Sequence, residues 1–172
     1  MIGFGGMSLF LTSLKRSNPL AIKQSYIVIG EVGKMAAKDR LVMIKALKRI
    51  VVPHLREQGF KGSFPHFRRQ NEEHIDLITF QFNRYGGSFV VELAICPKDG
   101  VTMSWGEKVP ANKVTAHDVD ERYRLRENRK DCNETWFNYE NANDEEDFEQ
   151  VASKVMSLLH VSDRDWIKNL FG

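Results

Sequence analysis

The amino-acid sequence predicts an α+β fold, in which an antiparallel meander sheet of about 4–5 strands carries helices packed on one face. Three features of the 172-residue chain lead to this prediction. Apolar residues recur at helical spacing over residues 36–58, alternate on both sides of a Gly-Gly pair over residues 74–97, and recur at helical spacing again after Asn143. The sequence therefore predicts an N-terminal helix, a central hairpin and one or two C-terminal helices.

The segment 74–97 has the pattern of a β-hairpin, because apolar residues alternate along both arms and Arg84-Tyr85-Gly86-Gly87 lies between them. Gly-Gly suits a turn whose central residues need positive φ. A loop of the two glycines alone and a loop of all four residues both keep the apolar residues on one face, so both registers stay open. The opposite face, with Thr79, Gln81 and Glu92, is expected to be wetter and too sparse in reactive groups for an active site.

The first helix is predicted over residues 36–58 and has a well-marked end. Gly59 suits the left-handed position that follows a helix, and Phe60 can then contact Leu55, as in a Schellman cap. Basic side chains occupy much of the surface of this helix, so residues 36–62 carry a net charge of +5.

Further strands are predicted on both sides of the hairpin. Before it, Ser63 to Arg69 reads as a strand that is interrupted near its start by a proline. After it, residues 98–134 are broken up by glycine and proline, and the candidate strands are Val101–Trp105, Arg122–Arg126 and Trp136–Tyr139.

Two helices are predicted to close the chain. Asn143 is placed at the N-cap of the first, with Glu146 completing a capping box. Ser162 is placed at the cap of a short second helix, Asp163 to Phe171.

Residues 1–34 differ from the rest and are interpreted as an extension, either loosely ordered or the product of an upstream start codon, with a single domain at 35–172. Residues Tyr26–Ile29 are a candidate short strand within it. The extension has a net charge of +3 and the remainder −1, so the body lacks the basic bias of a nucleic-acid-binding protein. No apolar run approaches the ~20 residues that span a membrane. Two cysteines without C-x-x-C spacing favour a reduced, cytoplasmic setting.

The pattern of residues 36–160 resembles a bacterial family catalogued as a domain of unknown function. The matching features are a leading amphipathic helix that ends in Gly-Phe, the two hairpin arms, an Arg-Leu pair and an aromatic pair before an acidic-capped helix: Gly59-Phe60, Phe67-Arg68, Ile78-Thr79-Phe80-Gln81, Phe89 to Leu93, Arg124-Leu125 and Trp136-Phe137. The chain has Ala94 or Ile95 where the family often has glycine, and Phe137 where it often has tryptophan. The resemblance implies an α+β fold and supplies no catalytic residue.

No catalytic, metal or cofactor motif is present in the sequence, and no catalytic residue, metal site or cofactor is predicted. His66 and His74 could approach each other across neighbouring strands, but two ligands do not make a metal site, and surface histidines are the preferred interpretation. His117 lies in an acidic segment for which a solvated loop is preferred over an acid–base or Mg²⁺ role.

Two functional hypotheses remain, and both rest on charge. The first is a non-enzymatic protein-interaction module, immunity-like in its specific form, in which the acidic run 131–149, with a net charge of −8, binds a basic protein partner. The second is a small-molecule or anion-binding domain, with hydrolytic activity as a variant, whose site lies in residues 98–134 and includes His117. The candidate binding residues of the two hypotheses are Arg122, Arg124, Arg126, Trp105, Trp136, Asp144, Glu145, Glu146 and Asp147. A third interpretation is that the arginines pair with the chain's own acidic run.

Overall fold

A long helix, α1, opens the structure and spans Pro19–Glu57. The computed structural model describes the backbone of residues 19–126 and 136–170 and the side chains of residues 37–126 and 136–160. The chain divides by its internal contacts into two units, Met1–Lys34 and Met35–Gly172. The candidate strand Tyr26–Ile29 lies within α1, so the prediction of a strand there is wrong.

The end of α1 forms the predicted cap. Gly59 has φ of +84°. The Phe60 N–H donates to the Leu55 carbonyl at 2.9 Å and the Gly59 N–H to the Arg56 carbonyl at 3.0 Å, which is the bonding pattern of a Schellman motif. Phe60 and Leu55 are both buried, so the cap also directs the chain into the core.

In the described residues, the main sheet is antiparallel and has six strands, which confirms the α+β prediction. Its strands in chain order are β1 Lys61–Ser63, β2 His66–Gln70, β3 His74–Phe82, β4 Ser88–Pro97, β7 Arg122–Arg124 and β8 Phe137–Asn138. The strand order across the sheet is β1-β2-β3-β4-β7, and β8 pairs with β4 as well. A separate two-stranded sheet is formed by β5 Val101–Thr102 and β6 Lys108–Val109.

The register of the β3–β4 hairpin is the one with the four-residue loop. Phe80 is opposite Val91 and Phe82 is opposite Phe89. The Asn83 N–H donates to the Ser88 carbonyl at 2.9 Å, which closes the loop from residue 84 to residue 87. Both loop glycines have positive φ, as the turn requires.

Three local predictions are wrong. Residues 63–69 form two strands rather than one, because the segment turns at Phe64-Pro65 and Pro65 has no N–H to donate to a ladder. The segment Val101–Trp105 contributes only to the small β5–β6 sheet, whose strands pair with each other. The predicted break at Ser162 is wrong, because α2 is one continuous helix that spans Glu145–Leu170, which agrees with the prediction of one or two C-terminal helices.

The cap of α2 is one residue later than predicted. The Oδ1 atom of Asp144 accepts a hydrogen bond from the Asp147 N–H at 3.0 Å. The Asp147 carboxylate in turn accepts from the Asn143 N–H at 2.8 Å. Asp144 therefore fills the capping role predicted for Asn143, and Asp147 the role predicted for Glu146.

Both faces of the sheet are covered. One face packs against α1 and α2 in the larger hydrophobic cluster, whose fully buried members include Leu47, Phe89 and Val155. The other face packs against residues 101–119 in a smaller cluster that includes Leu77, Ala94 and Val114. The wetter face expected of the hairpin is therefore largely buried, because the segment that follows the hairpin folds back over it. No helix in the described part of the chain has the length and apolarity that a membrane span requires.

Candidate functional site

A row of polar side chains crosses the face of the sheet that residues 101–119 cover. The register places His66 on β2 opposite Thr79 on β3, Thr79 opposite Glu92 on β4, and Glu92 opposite Arg124 on β7. Residues directly opposite each other in a sheet point to the same face. We call these four residues the polar row.

Glu92 is the centre of the row and is only 3% exposed. Its Oε1 atom lies 3.5 Å from Nε of Arg124. Its Oε2 atom lies 3.3 Å from Nδ1 of His117 and 3.9 Å from Nη1 of Arg122. Oε2 is buried and accepts no hydrogen bond from the described residues. A buried carboxylate is costly unless cations lie near it, so Glu92 holds these three side chains on its side of the sheet.

The 3-10 helix Ala116–Asp118 covers the row and supplies His117. The Ala116 N–H donates to Oγ1 of Thr79 at 3.3 Å. Oγ1 also lies 3.1 Å from Nδ1 of His66, so the Thr79 hydroxyl joins the cover to the sheet. The rings of His66 and His117 meet edge to face with centroids 5.7 Å apart.

The three predicted arginines are separated by the structure into two groups. Arg122 and Arg124 lie on β7 with their guanidinium groups near Glu92, and their side chains are 36% and 43% exposed. Arg126 lies beyond the end of β7, over the ring of Tyr123 at 5.3 Å from its centroid. The structure therefore brings His117, Arg122 and Arg124 together around Glu92.

The predicted tryptophans also lie in different places. Trp136 is 45% exposed, and the Arg124 guanidinium lies 5.9 Å from its ring centroid. Trp105 lies in the loop between β5 and β6, where its indole N–H donates to Glu107 at 3.1 Å. Trp136 therefore extends the arginine group, and Trp105 is held within its own hairpin.

Part of the acidic run 131–149 caps α2 and forms ion pairs with α1. Asp144 and Asp147 cap α2. Glu145 lies 3.7 Å from Lys45 and 3.5 Å from Arg49, and Glu149 also pairs with Arg49. The basic face of α1 is therefore the partner of part of this run. Asp131 and Glu134 lie outside the described residues, and so does Cys132.

A second buried carboxylate, Asp76, shows what full pairing looks like. Its Oδ2 atom accepts from Nε of Arg69 at 2.9 Å, and its Oδ1 atom lies 3.0 Å from Nε2 of His74. Arg69 also donates to the Gln58 carbonyl at 3.2 Å and lies over the ring of Phe60. Asp76 is satisfied on both oxygens and joins the end of α1 to the sheet, whereas Oε2 of Glu92 has no donor among the described residues.

Burial shifts the pKa values of two side chains on the face that residues 101–119 cover. Desolvation lowers the pKa of His66 below 6.5, electrostatic interactions with His117 and Arg68 lower it further, and Asp118 opposes them. Burial raises the pKa of the Cys96 thiol to about 11, so Cys96 stays protonated and is a poor nucleophile. No three His, Cys, Asp or Glu side chains in the described residues are arranged to hold a metal ion.

Glu92 is the site residue that the sequence interpretation missed. The apolar alternation around Glu92 matches a strand with one face exposed to water. The second face is buried only because the distant segment 101–119 packs over it. A signal was present in the sequence: Glu92 is the sole charged residue between Ser88 and Cys96, in a run that is otherwise apolar. A buried strand of this kind reads as a nearly continuous apolar run, in which a single charge marks a paired site.

The fold and the site define an α+β domain whose sheet is buried on both faces and carries one incompletely bonded carboxylate. A family model described as "Domain of unknown function (DUF4304)" matches residues 51–168. The match covers more than half of the chain, so the chain belongs to this family, and the family resemblance seen in the sequence is confirmed. No curated protein and no solved structure matches the chain.

The lowered pKa of His66 predicts a pH-dependent stability. In the unfolded chain the imidazole binds a proton near pH 6.5, but in the folded protein it binds one only at lower pH. The free energy of unfolding should therefore fall as the pH decreases from about 7 through the folded-state pKa. His66→Gln, which keeps a polar partner for Thr79, should reduce this loss.

Urea unfolding of the protein and the variant at about pH 7.5 and pH 5 measures the difference, and an NMR titration of the His66 ring gives its pKa. Identical pH dependences, together with a His66 midpoint at or above 6.5, would contradict the assignment.

Proposed function

We propose that the domain is a non-enzymatic binding module that takes an anionic group at the arginine edge, which we define as Arg122, Arg124 and Trp136. One observation carries the proposal: two guanidinium groups share a single buried carboxylate. Glu92 neutralises one of the two positive charges, so the edge keeps a net positive charge on partly exposed side chains. Guanidinium pairs of this kind suit carboxylate and phosphate oxygens.

The side chains of the arginine edge are also preorganised. Arg122 donates to the His117 carbonyl at 3.5 Å, Arg124 is placed between Glu92 and Trp136, and β7 itself is hydrogen-bonded to β4. Side chains held in this way lose less conformational entropy on binding than free ones. The exposed Trp136 ring offers a flat apolar surface beside the cation, and tryptophan and arginine are the residue types that dominate binding energies at interfaces.

The assignment to binding, and not to catalysis, follows from the character of the groups. The Thr79 hydroxyl, which belongs to the polar row, and the Cys96 thiol are both buried. The raised pKa of Cys96 removes the thiolate that nucleophilic chemistry needs. We also propose a reducing, cytoplasmic compartment in a bacterial cell, which the free thiol of Cys96 suits.

Titration of the full chain tests the arginine edge directly. Inorganic phosphate and a short glutamate peptide serve as probes, and the indole N–H resonance of Trp136 reports binding. We expect a saturable shift with at least one probe, and an affinity about tenfold weaker in Arg124→Met, because one charge-assisted hydrogen bond is lost. Tighter binding of the peptide would indicate a protein ligand, and tighter binding of phosphate would indicate a small-molecule ligand.

Arg122→Met is the second variant, in case the loss of Arg124 disturbs the fold around Glu92. Arg84→Met is the matched control, because Arg84 is an exposed arginine in the loop between β3 and β4. The absence of a saturable shift with both probes, or equal weakening in the control, would refute the proposal.

A second candidate function is docking of a basic protein on the acidic surface near α2, in the manner of an immunity protein. It is favoured by Glu140, Asp144 and Glu146, which are exposed close to the helix start. It is weakened by the pairing of Glu145 and Glu149 with α1, because paired acids contribute less to steering.

The second candidate predicts that Glu140→Gln/Glu146→Gln abolishes capture of a basic protein by the full chain from lysate of its own host. The control is Glu72→Gln/Glu73→Gln, which removes two exposed acids from the β2–β3 turn. Capture that survives in the first variant, or is lost equally in both, would exclude the acidic surface as the docking site.

A further inference from the structure

A cleft of about 340 Å³ lies at the opposite edge of the sheet from β7. One wall is formed by β1 and β2, and the other by the loop at Ala111 and Asn112. Gly59, which follows α1, and Ile75, at the start of β3, complete the lining. We call it the β1–β2 cleft, and it shares no residue with the arginine edge.

The lining of the cleft is cationic. Lys61 and Arg68 both line it, and they are register partners across β1 and β2, so their side chains lie on the same face. The remaining polar side chains of the lining are the amides of Gln70 and Asn112, and none of the lining residues is Asp or Glu. The positive charge inside the cleft is therefore not neutralised by its own walls.

Arg68 is directed across the cleft and keeps an unused donor. Its Nη1 atom donates to the Asn112 carbonyl, which joins the two walls. Its Nε atom is buried and has no hydrogen-bond partner among the described residues. A buried N–H of a charged group that lacks an acceptor is unfavourable, so the protein's described acceptors satisfy the Arg68 guanidinium only in part.

Close backbone packing at Gly62 and hydrogen bonds from Arg56 hold the wall on the β1 side in place. Gly62 has φ of +107°, and a Cβ atom there would lie 2.7 Å from the His66 carbonyl oxygen, so no other residue fits without a shift of the backbone. Arg56 donates to the Phe60 carbonyl at 2.7 Å and also to the Gly62 carbonyl. The backbone that carries Lys61 is therefore held in place before any ligand arrives, which lowers the entropic cost of binding.

We propose that the β1–β2 cleft binds a small organic oxyanion, a carboxylate or a phosphate monoester. The oxyanion meets Lys61 and Arg68, and the amides of Gln70 and Asn112 complete its polar contacts. Ile75 and Ala111 receive a short apolar part of the ligand. The volume lies at the lower end of the ~300–1,000 Å³ typical of small-molecule pockets, so the ligand has the size of a small metabolite and not of a dinucleotide.

Backbone NMR of the full chain, titrated with inorganic phosphate and separately with butyrate, tests the proposal. We expect saturable shifts at Gly59, Gly62 and Asn112 with at least one probe. Phosphate shifts alone indicate a phosphate ester as the natural ligand, and butyrate shifts alone indicate a carboxylate. Lys61→Met should weaken binding by about tenfold, because an exposed cation is removed and the fold is untouched. Arg68→Lys, which retains the charge but loses Nε–H, should also weaken it.

Arg84→Met is the control and should leave these shifts unchanged, because Arg84 is exposed and lies outside the cleft. The indole N–H resonance of Trp136 reports the arginine edge in the same titration, so a different midpoint there separates this cleft from the arginine edge. The proposal is overturned if neither probe gives a saturable shift at the three reporters, or if Lys61→Met and Arg68→Lys bind as the unaltered chain does.

Discussion

The burial of Glu92 in the middle of the sheet constrains the whole of the face on which it lies. A carboxylate at 3% exposure must have cations beside it, and β4 alone supplies none. Arg124 and Arg122 come from β7, and His117 comes from the 3-10 helix of the covering segment. One side chain therefore fixes the position of an edge strand and of the cover together. Next to Glu92 in the polar row, the Thr79 hydroxyl accepts a hydrogen bond from the Ala116 N–H, which also holds the covering segment on the sheet.

This constraint also limits which polar groups are exposed. Helices pack on one face of the sheet and residues 101–119 pack on the other. The accessible polar groups lie at the two ends of the strand order, where β7 carries the arginine edge and β1 lines the cationic cleft. The family to which the chain belongs is described as a domain of unknown function, and the structure directs attention to these edges and away from the hairpin that dominates the sequence pattern.

Much of the architecture was predictable because its determinants are local. The Schellman cap follows from Gly59-Phe60, and the face of the hairpin follows from strict alternation, with only the loop length left open between two choices. Determinants that join distant segments were not predictable. The alternation of β4 is the same whether Glu92 faces water or the cover, and only the fold-back of residues 101–119 decides between them. The division of residues 63–69 into two strands depends on a turn at Pro65, and the sequence pattern fits a proline at an edge position equally well. At the site, periodicity placed Arg122 and Arg124 on one face, but their shared partner lay 30 or more residues away.

Glu92 and Arg124 should be energetically coupled, because together they hold β7 against the sheet. A double-mutant cycle with Glu92→Gln, Arg124→Met and the combined variant, followed by urea unfolding, measures this coupling. We expect a coupling free energy of about 1 kcal/mol or more, with the double variant more stable than the sum of the single effects implies. Additive effects, within about 0.3 kcal/mol, would contradict it and would mean that the arginine edge is positioned without Glu92.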